Sequence, residues 1–498
     1  MRIAAVLALS VPFVLGLAVG ACGSNHGGGG GGTGDGGTSD AGPGTGGPPD
    51  SCVGLQCQVA NCSAMKLPDT SVSGTVFAPN GTLPLFGVNV YIPNTDPGPL
   101  PEGSVCSRCT DALPGDPIVQ AISNESGQFL LSGIPAGDNI PLVITSGKWR
   151  KQLVLPHVAA CTQTTLAASE TRLPRDHTEG DMPRIAIATG QADSLECLIR
   201  KLGIADSEIS TQGGAGRVHL YAGNLGETQF VNGFPGGTGA FADAPSQLWA
   251  SEDQLKPYDI VMLSCEGAAY PEEKPQAAMD GMKAYADQGG RVFASHWHNI
   301  WIEGAYERNF TQAPAVWPGI ADWTNTDSSE LPAGSSVAID EQANPKGGSF
   351  ATWMLNVGGS TVRDQILLQD QPPDPTTHEV LSTGRSTVSF VHPDRGEQWV
   401  YIPHPTPFQG MGTQNFQFTT PNEEPDAGKR CGKVVFSDMH VSGTSGARDA
   451  QDDLVRSYPD NCATIPSPDP QDPNALTPQE KALTFMFFDI ASCVGPIL

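Results

Sequence analysis

The sequence predicts a multi-domain protein, an N-terminal β-sandwich followed by an α/β domain with a parallel sheet and a β insertion, carried behind an export signal. Three observations predict it. An apolar leader runs into a glycine-rich stretch, short alternating apolar runs separated by turn clusters begin near Ser71, and from Arg184 buried-strand runs alternate with helical patterns. The 498 residues leave room for roughly two to four domains. Their 27 Lys+Arg against 53 Asp+Glu give a formal charge of −26. Neutralising phosphates needs clustered Lys and Arg, and no such cluster occurs, so nucleic acid is excluded as a partner. Adhesion to anionic lipid through protein charge is disfavoured for the same reason. No phosphate-binding glycine motif follows a strand, since Gly213-Gly214-Ala215-Gly216 precedes one, so no nucleotide is expected.

At the N-terminus, Met1 and Arg2 precede an apolar run from Ile3 to Val19, which reads as a signal peptide over residues 1–21 and is short for a membrane span. Val19-Gly20-Ala21-Cys22 resembles a bacterial lipobox, which implies lipidation of Cys22 and a membrane partner through that anchor. Gly23 stands where an inner-membrane retention Asp would be, so the resemblance implies an outer-membrane lipoprotein. Residues 22–50 form a tether. With 14 Gly in the 27 positions from Gly23 to Pro49, this stretch cannot bury a core.

Oxidised cysteines are expected outside the cytosol. Without Cys22, six remain in the first half (Cys52, Cys57, Cys62, Cys106, Cys109, Cys161) and five in the second (Cys197, Cys265, Cys431, Cys462, Cys493). An even and an odd set suggest three disulfides within the first domain, two within the second, and one free thiol. The spacing of Cys52, Cys57 and Cys62 with Cys106 and Cys109 would also serve zinc or an iron–sulfur cluster, but the oxidising address favours disulfides.

Residues 51–69 are a Cys-rich lead-in, and residues 70–172 carry the alternating runs: 73–77, 87–92, 129–131, 141–144 and 152–155. Ser73-Gly-Thr-Val with Gly87-Val-Asn-Val-Tyr-Ile, then Asn124-Glu-Ser-Gly-Gln-Phe129 and Ile134-Pro-Ala-Gly137, resembles a carboxypeptidase regulatory-like domain, of transthyretin/Ig-like fold. The resemblance implies a secreted spacer or binding module without catalytic groups. Cys106-Ser-Arg-Cys109 reads as a disulfide-pinned loop inserted between strands.

A polar connector, residues 173–182, leads to the second domain, residues 183–498. Strands are expected at 184–190, 258–264, 290–296 and 432–440, helices at 194–202 and 275–288. A Thr-Pro-Gln-Glu capping box opens a last helix over 477–493. Tyr258-Asp-Ile-Val-Met-Leu, then Met282 through the Gly289-Gly290 turn to His298, and Gly432-Lys-Val-Val-Phe-Ser-Asp-Met-His440 resemble the flavodoxin-like fold of class I glutamine amidotransferase-like proteins, including their ThuA-like branch. An insertion of about residues 306–427 interrupts it, with added β structure at Val388-Ser-Phe-Val and Trp399-Val-Tyr-Ile. In that family a nucleophilic Cys follows the strand after the Gly-Gly turn and a late-strand His activates it. Here the position holds Ser295-His296, so glutaminase activity is not expected. His440 matches the late His, but Ser442 stands where its carboxylate partner would be.

Ligands of doubly wound sheets bind beyond the carboxyl ends of the strands. Those ends carry Thr189-Gly190-Gln191, Ser264-Cys265-Glu266, Ser295-His296-Trp297-His298 and Ser437-Asp438-Met439-His440. Three readings stay open. His296, His298, Asp438 and His440, with Glu266, have the donor types for a divalent metal. Cys265 with His296 or His440 has the types for a catalytic thiol, unless Cys265 pairs with Cys197. Otherwise the residues cap turns in a non-catalytic cleft that binds a ligand or partner. Trp297, Trp301, Trp317 and Trp323 read as loop core, with stacking on a glycan as the alternative. The acidic stretches 449–453 and 460–472 lack a calcium-loop pattern. No organic cofactor is expected. A cell-surface lipoprotein that binds a glycan or protein ligand is the reading reached, with a secreted hydrolase and a structural envelope protein as alternatives.

Overall fold

The computed structural model describes residues 52–304, 315–323, 331, 334–369, 384–403, 412–441, 457–462 and 476–495. The expected signal peptide and tether, Cys22, Ser442 and the acidic stretches 449–453 and 463–472 lie outside the described residues. None of the described helices is long and apolar enough to cross a membrane. The described chain is sheet-rich, with four sheets and few long helices.

The N-terminal part holds seven strands: β1 Ser71–Thr75, β2 Asn89–Pro93, β3 Pro117–Ile122, β4 Gln128–Ser132, β5 Gly137–Ser146, β6 Trp149–Val158 and β7 Gln163–Thr165. They form two sheets, ordered β4-β1-β7 and β3-β2-β5-β6. Alternation builds the core, as in β4, where Phe129 and Leu131 are buried between exposed neighbours. Sequence patterning anticipated five of these strands. It missed β3, an edge strand that starts on Pro117 and buries no residue fully, and β7, which has only three residues.

The second part is built on a thirteen-stranded sheet. Its main strands are β8 Ile185–Ala188, β9 Val218–Ala222, β10 Ile260–Leu263, β11 Arg291–Ser295, β12 Ser336–Ile339, β13 Gln365–Leu367, β14 Glu397–Tyr401, β15 Thr413–Thr420 and β16 Gly432–Ser437. Strands β9, β8, β10, β11 and β16 lie side by side and parallel, so the order in chain terms is 2-1-3-4-5. From β16 the sheet continues antiparallel through β15, β14, β12 and β13. The inserted segment therefore extends the same sheet.

Both faces of the parallel half are covered, which is why its strands read as unbroken apolar runs. Ile185 and Ile187 enter one core with Leu198 and Ile199 of helix α1 (Leu195–Lys201) and Leu483 and Phe487 of helix α4 (Pro478–Ala491). Ala186 and Ala188 face the other with Met279 and Met282 of helix α2 (Gln276–Asp287). The expected capping box is present on α4: Thr477 Oγ1 accepts from Glu480 N at 3.3 Å and Glu480 Oε2 accepts from Thr477 N at 2.8 Å.

The sandwich belongs to the same first core. Trp149 of β6 meets Phe487 and Phe488 at ring separations of 5.5 and 5.6 Å, and Trp353 of helix α3 (Gly347–Asn356) donates to Pro84 O at 2.8 Å. The connector is docked rather than loose. Arg172 pairs with Glu179 at 2.5 Å, Arg150 Nε donates to Asp181 Oδ2 at 2.7 Å, and Leu173 and Met182 are buried. At the end of α4, Asp489 holds Lys346 at 2.5 Å and Lys433 at 2.9 Å. Burial opposes its charge, but the two ammonium groups outweigh that and keep Asp489 below the usual carboxylate range.

The cysteine count holds among the described residues and the partition does not. Five disulfides form and Cys265 is free, but only Cys52–Cys57 and Cys62–Cys161 stay within the first half. Cys197 pairs with Cys462, not Cys265. Cys106–Cys431 and Cys109–Cys493 fasten the inserted loop of the sandwich to the second part, closing spans of 325 and 384 residues. The Gly289-Gly290 turn explains the seating. Gly289 has φ +122°, and a Cβ there would collide with the backbone of Val105 and Cys106. Cross-links that close spans this long are worth about 2–5 kcal/mol each in the chain-entropy account. With these five cysteine pairs oxidised, none of Cys52, Cys57, Cys62, Cys106 or Cys109 is offered to a metal.

Non-reducing peptide mapping should recover Cys106–Cys431 and Cys109–Cys493 as cross-linked peptides; three pairings confined to the first six cysteines would contradict this fold. Asp489→Asn should cost about 3 kcal/mol at pH 7, because it strands two partly buried ammonium groups. Since the native carboxyl titrates below its unfolded value of about 3.9, that contribution is complete above this value and is lost progressively as the pH falls from it down through the lower native value. The urea midpoints of variant and parent should accordingly converge in acid.

Candidate functional site

Because β8, β10, β11 and β16 are parallel, their carboxyl ends emerge on one edge. The chain passes from β8 to β9 on one side and returns to β10 on the other, so the ends of β8 and β10 flank the point where the strand order reverses. Gly190 closes this gap. A Cβ there would strike the carbonyl oxygens of Ser264 and Cys265.

Three of the expected side chains meet there. Cys265, two residues past β10, places Sγ 3.3 Å from Nδ1 of His296. The His296 ring stands 5.1 Å from that of His440. One donor atom from each of Cys265, His296 and His440 lies within 4.8 Å of the other two, and all three residues are buried. His296 occupies a sharp turn between β11 and the helical segment after it, with φ +33°, a conformation that strains an L-residue and persists only where the surroundings enforce it.

The electrostatics describe a neutral pair in the absence of a cation. Burial pushes the Cys265 thiol up to about 12, although backbone N–H groups of Trp297 and Gly267 point at the sulfur and favour its anion. Burial also drives His296 well below the usual imidazole range, helped by the charges that His440 and Arg385 would bring. A thiolate–imidazolium pair of the kind that activates cysteine nucleophiles is thus not the resting state. A metal ion would reverse the balance, since a coordinating thiol is deprotonated outright.

The four-residue metal set read from the sequence does not assemble. β11 ends at Ser295, so His296 and His298 part instead of sharing a strand face. His298 Nδ1 accepts from Trp301 Nε1 at 3.1 Å and its Nε2 donates to Ser264 O at 3.0 Å, which occupies both ring nitrogens. Nearby, Glu266 pairs with Lys274 at 2.8 Å. Burial raises that carboxyl, but His298 and Lys274 outweigh it and hold it below the ordinary value. Asp438 accepts from Thr387 N at 2.8 Å and from Thr387 Oγ1 at 2.7 Å. It braces the neighbouring segment at Thr387.

Sequence reading missed the residue that ties the site together, Asp193. Its carboxylate accepts from Ser295 Oγ at 2.5 Å, Val441 N at 2.9 Å and Ser194 N at 3.0 Å. Ser295 precedes His296 and Val441 follows His440, so one buried carboxylate spaces both imidazoles. Burial lifts it to about 7 against those three bonds. A second buried group, Glu196 on α1 with Glu227 and Asn461, sits beside the Cys197–Cys462 disulfide. Asn461 Nδ2 donates to Glu196 Oε1 at 2.8 Å. A polar residue just past a strand was the available signal for Asp193; nothing local marks Glu227. Of the four tryptophans, Trp301 and Trp317 are core, while Trp297 and Trp323 are partly exposed, with Trp297 against the His296 ring at 4.9 Å.

No family model matches the chain, and no curated protein matches it. Among solved structures, an N-terminal interface mutant of a type II cohesin–X-dockerin complex from Acetivibrio cellulolyticus is 16% identical, covering 25% of this chain and 79% of that one, with a TM-score of 0.15. The C-terminal interface mutant of that complex is also 16% identical, covering 28% and 75%, at 0.15. A cytoplasmic protein from Salmonella typhimurium is 12% identical, covering 52% of this chain and 88% of its own, at 0.26. Scores this low carry no argument about fold or function.

Asp193→Ala should lower unfolding free energy by about 2–4 kcal/mol, because it leaves buried donors at Ser295, Val441 and Ser194 without an acceptor. Urea denaturation measures this, and a midpoint equal to the parent's would remove Asp193 from the account.

Proposed function

We propose that this chain is an exported lipoprotein whose second part has the flavodoxin-like, class I glutamine amidotransferase-like plan but carries a buried transition-metal centre of Cys265, His296 and His440 in place of a covalent nucleophile. The observation that carries the reading is the convergence of one sulfur and two imidazoles within 4.8 Å. The parallel strand order 2-1-3-4-5 is that of flavodoxin-like sheets, whose ligands bind where the order reverses. His296 stands at the strained turn where the amidotransferase resemblance places the nucleophile, and His440 at the late-strand position. Cys265, from the adjacent strand end, supplies the thiol. Five disulfides accord with export.

Thiolate with imidazole selects zinc or copper over calcium and magnesium. Donors around one zinc ion stand roughly 3.3–3.8 Å apart, and the Cys265–His296 pair already has that spacing at 3.3 Å. The two N–H groups directed at the sulfur are the kind of support that tunes a metal-bound thiolate. Burial of all three ligands favours holding an ion or small ligand over turning over a large substrate.

A hydrolase using Cys265 as nucleophile is the second reading, favoured by the same 3.3 Å contact. The two part on one experiment. The metal reading expects the purified, chelator-treated full chain to bind one Co²⁺ with a thiolate-to-cobalt charge-transfer band. Cys265→Ser should abolish the band and His440→Gln should weaken binding at least about tenfold. Rapid alkylation of Cys265 that cobalt does not slow would instead favour the nucleophile, and absence of cobalt binding would end the metal reading.

A further inference from the structure

Two glutamates outside the candidate centre meet in the interior. Glu196 lies on α1 and Glu227 in the loop that follows β9, and they are 0% and 1% exposed. Their side chains are hydrogen-bonded to each other. Ionised carboxylates only accept, so that bond lasts only while the pair keeps a proton. Beside it, Glu196 Oε1 accepts from Asn461 Nδ2 at 2.8 Å and Glu196 Oε2 from Ser264 Oγ at 3.4 Å. Burial, followed by the neighbouring Glu227 carboxyl, raises Glu196 well above the usual carboxylate range.

Asn461 belongs to a short strap, residues 457–462. Ser457 and Tyr458 pair with Gln229 and Phe230, Val231 N donates to Tyr458 O at 2.8 Å, and the Tyr458 ring meets Phe230 and Phe234 at 6.1 and 5.4 Å. At the other end Cys462 is bonded to Cys197. Gln229 is two residues past Glu227 and Cys197 one past Glu196, so each glutamate stands next to one anchor of the strap. The cations nearby are committed to other carboxylates. On α1, Arg200 Nε donates to Asp206 Oδ1 at 2.8 Å and Lys201 pairs with Glu480 of α4 at 2.5 Å. The strap itself brings Tyr458, whose phenol burial keeps protonated, and Asp460, which is exposed. Past β8 and β10, Asp193 and Cys265 belong to the centre already described.

We propose that the Glu196–Glu227 pair is a proton-dependent latch on the strap of residues 457–462: one shared proton holds the two carboxyls together beside Asn461, and its loss sets two carboxylates against each other and frees the strap. The Cys197–Cys462 disulfide keeps the freed strap tethered, so the opening is reversible. An open strap returns the carboxyls to water, where they titrate near about 4.3. Closing therefore takes up a proton. The strap is held fully below that value and is released progressively as the pH rises toward the higher value of the closed pair.

Amide hydrogen exchange of the full chain, divided by the intrinsic exchange rate at each pH, reads the opening. The N–H groups of Val231 and Cys462 donate to Tyr458 O and Pro459 O at 2.8 Å. Their protection should fall about tenfold per pH unit between about pH 5 and about pH 7, and should stay below that of β10 throughout. The deciding variant combines Glu196→Gln with Glu227→Gln, which keeps side-chain hydrogen bonding but holds no titrating proton. Its protection at the same two amides should change less than about twofold across that range. A flat profile in the parent overturns the proposal without any variant. A slope that survives in the double variant assigns the proton to another group, such as Asp193, and also overturns it. So does protection equal to that of β10, because the strap would then open only with the whole fold.

Discussion

A parallel sheet covered on both faces can present polar chemistry only where its strands stop. In this protein β8, β10, β11 and β16 are buried from end to end, with alternate side chains committed to two separate cores. Every functional group of the candidate centre therefore lies in the first few residues past a strand: Cys265 after β10, His296 after β11, His440 after β16, and Asp193 after β8. The same constraint makes the site buried and its charges costly. Asp193 and Asp438 are both lifted to about 7 by that environment, and without a cation burial pushes the Cys265 thiol and the His296 imidazole toward their neutral forms.

How the backbone turns at those strand ends decides which of the nearby residues meet. His296 and His298 look equivalent in sequence, but the left-handed turn at His296 sends one imidazole toward Cys265 and leaves the other between Trp301 and Ser264. Asp193 then sets the spacing, because a single carboxylate bonds the residue before one imidazole and the residue after the other.

Much of this was legible in the residues. The apolar runs of β8, β10, β11 and β16, the α4 capping box and the alternation in β4 each carry a local signal that tertiary packing reinforces. Cys265, His296 and His440 were legible as candidates, since strand ends in such sheets are where ligands bind. What was not legible shares one property: it depends on pairing across long stretches of chain. Cys106–Cys431 and Cys109–Cys493 span most of the protein, and cysteine count alone cannot assign partners. Asp193 became visible only when 441 and 295 were brought beside it. Edge strand β3 has no burial pattern to read, and a docked connector looks like any polar linker until Glu179 and Asp181 find Arg172 and Arg150.

The sandwich and the sheet are joined by aromatic packing at Trp149, by the connector, and by two disulfides through one inserted loop, so the body behaves as one core with two kinds of sheet. The central claim concerns the centre at the strand ends, and X-ray absorption at the metal edge of the zinc-loaded full chain tests it most directly. The account predicts one sulfur at about 2.3 Å and two imidazole nitrogens at about 2.0–2.1 Å. A first shell of oxygen and nitrogen without sulfur would contradict it.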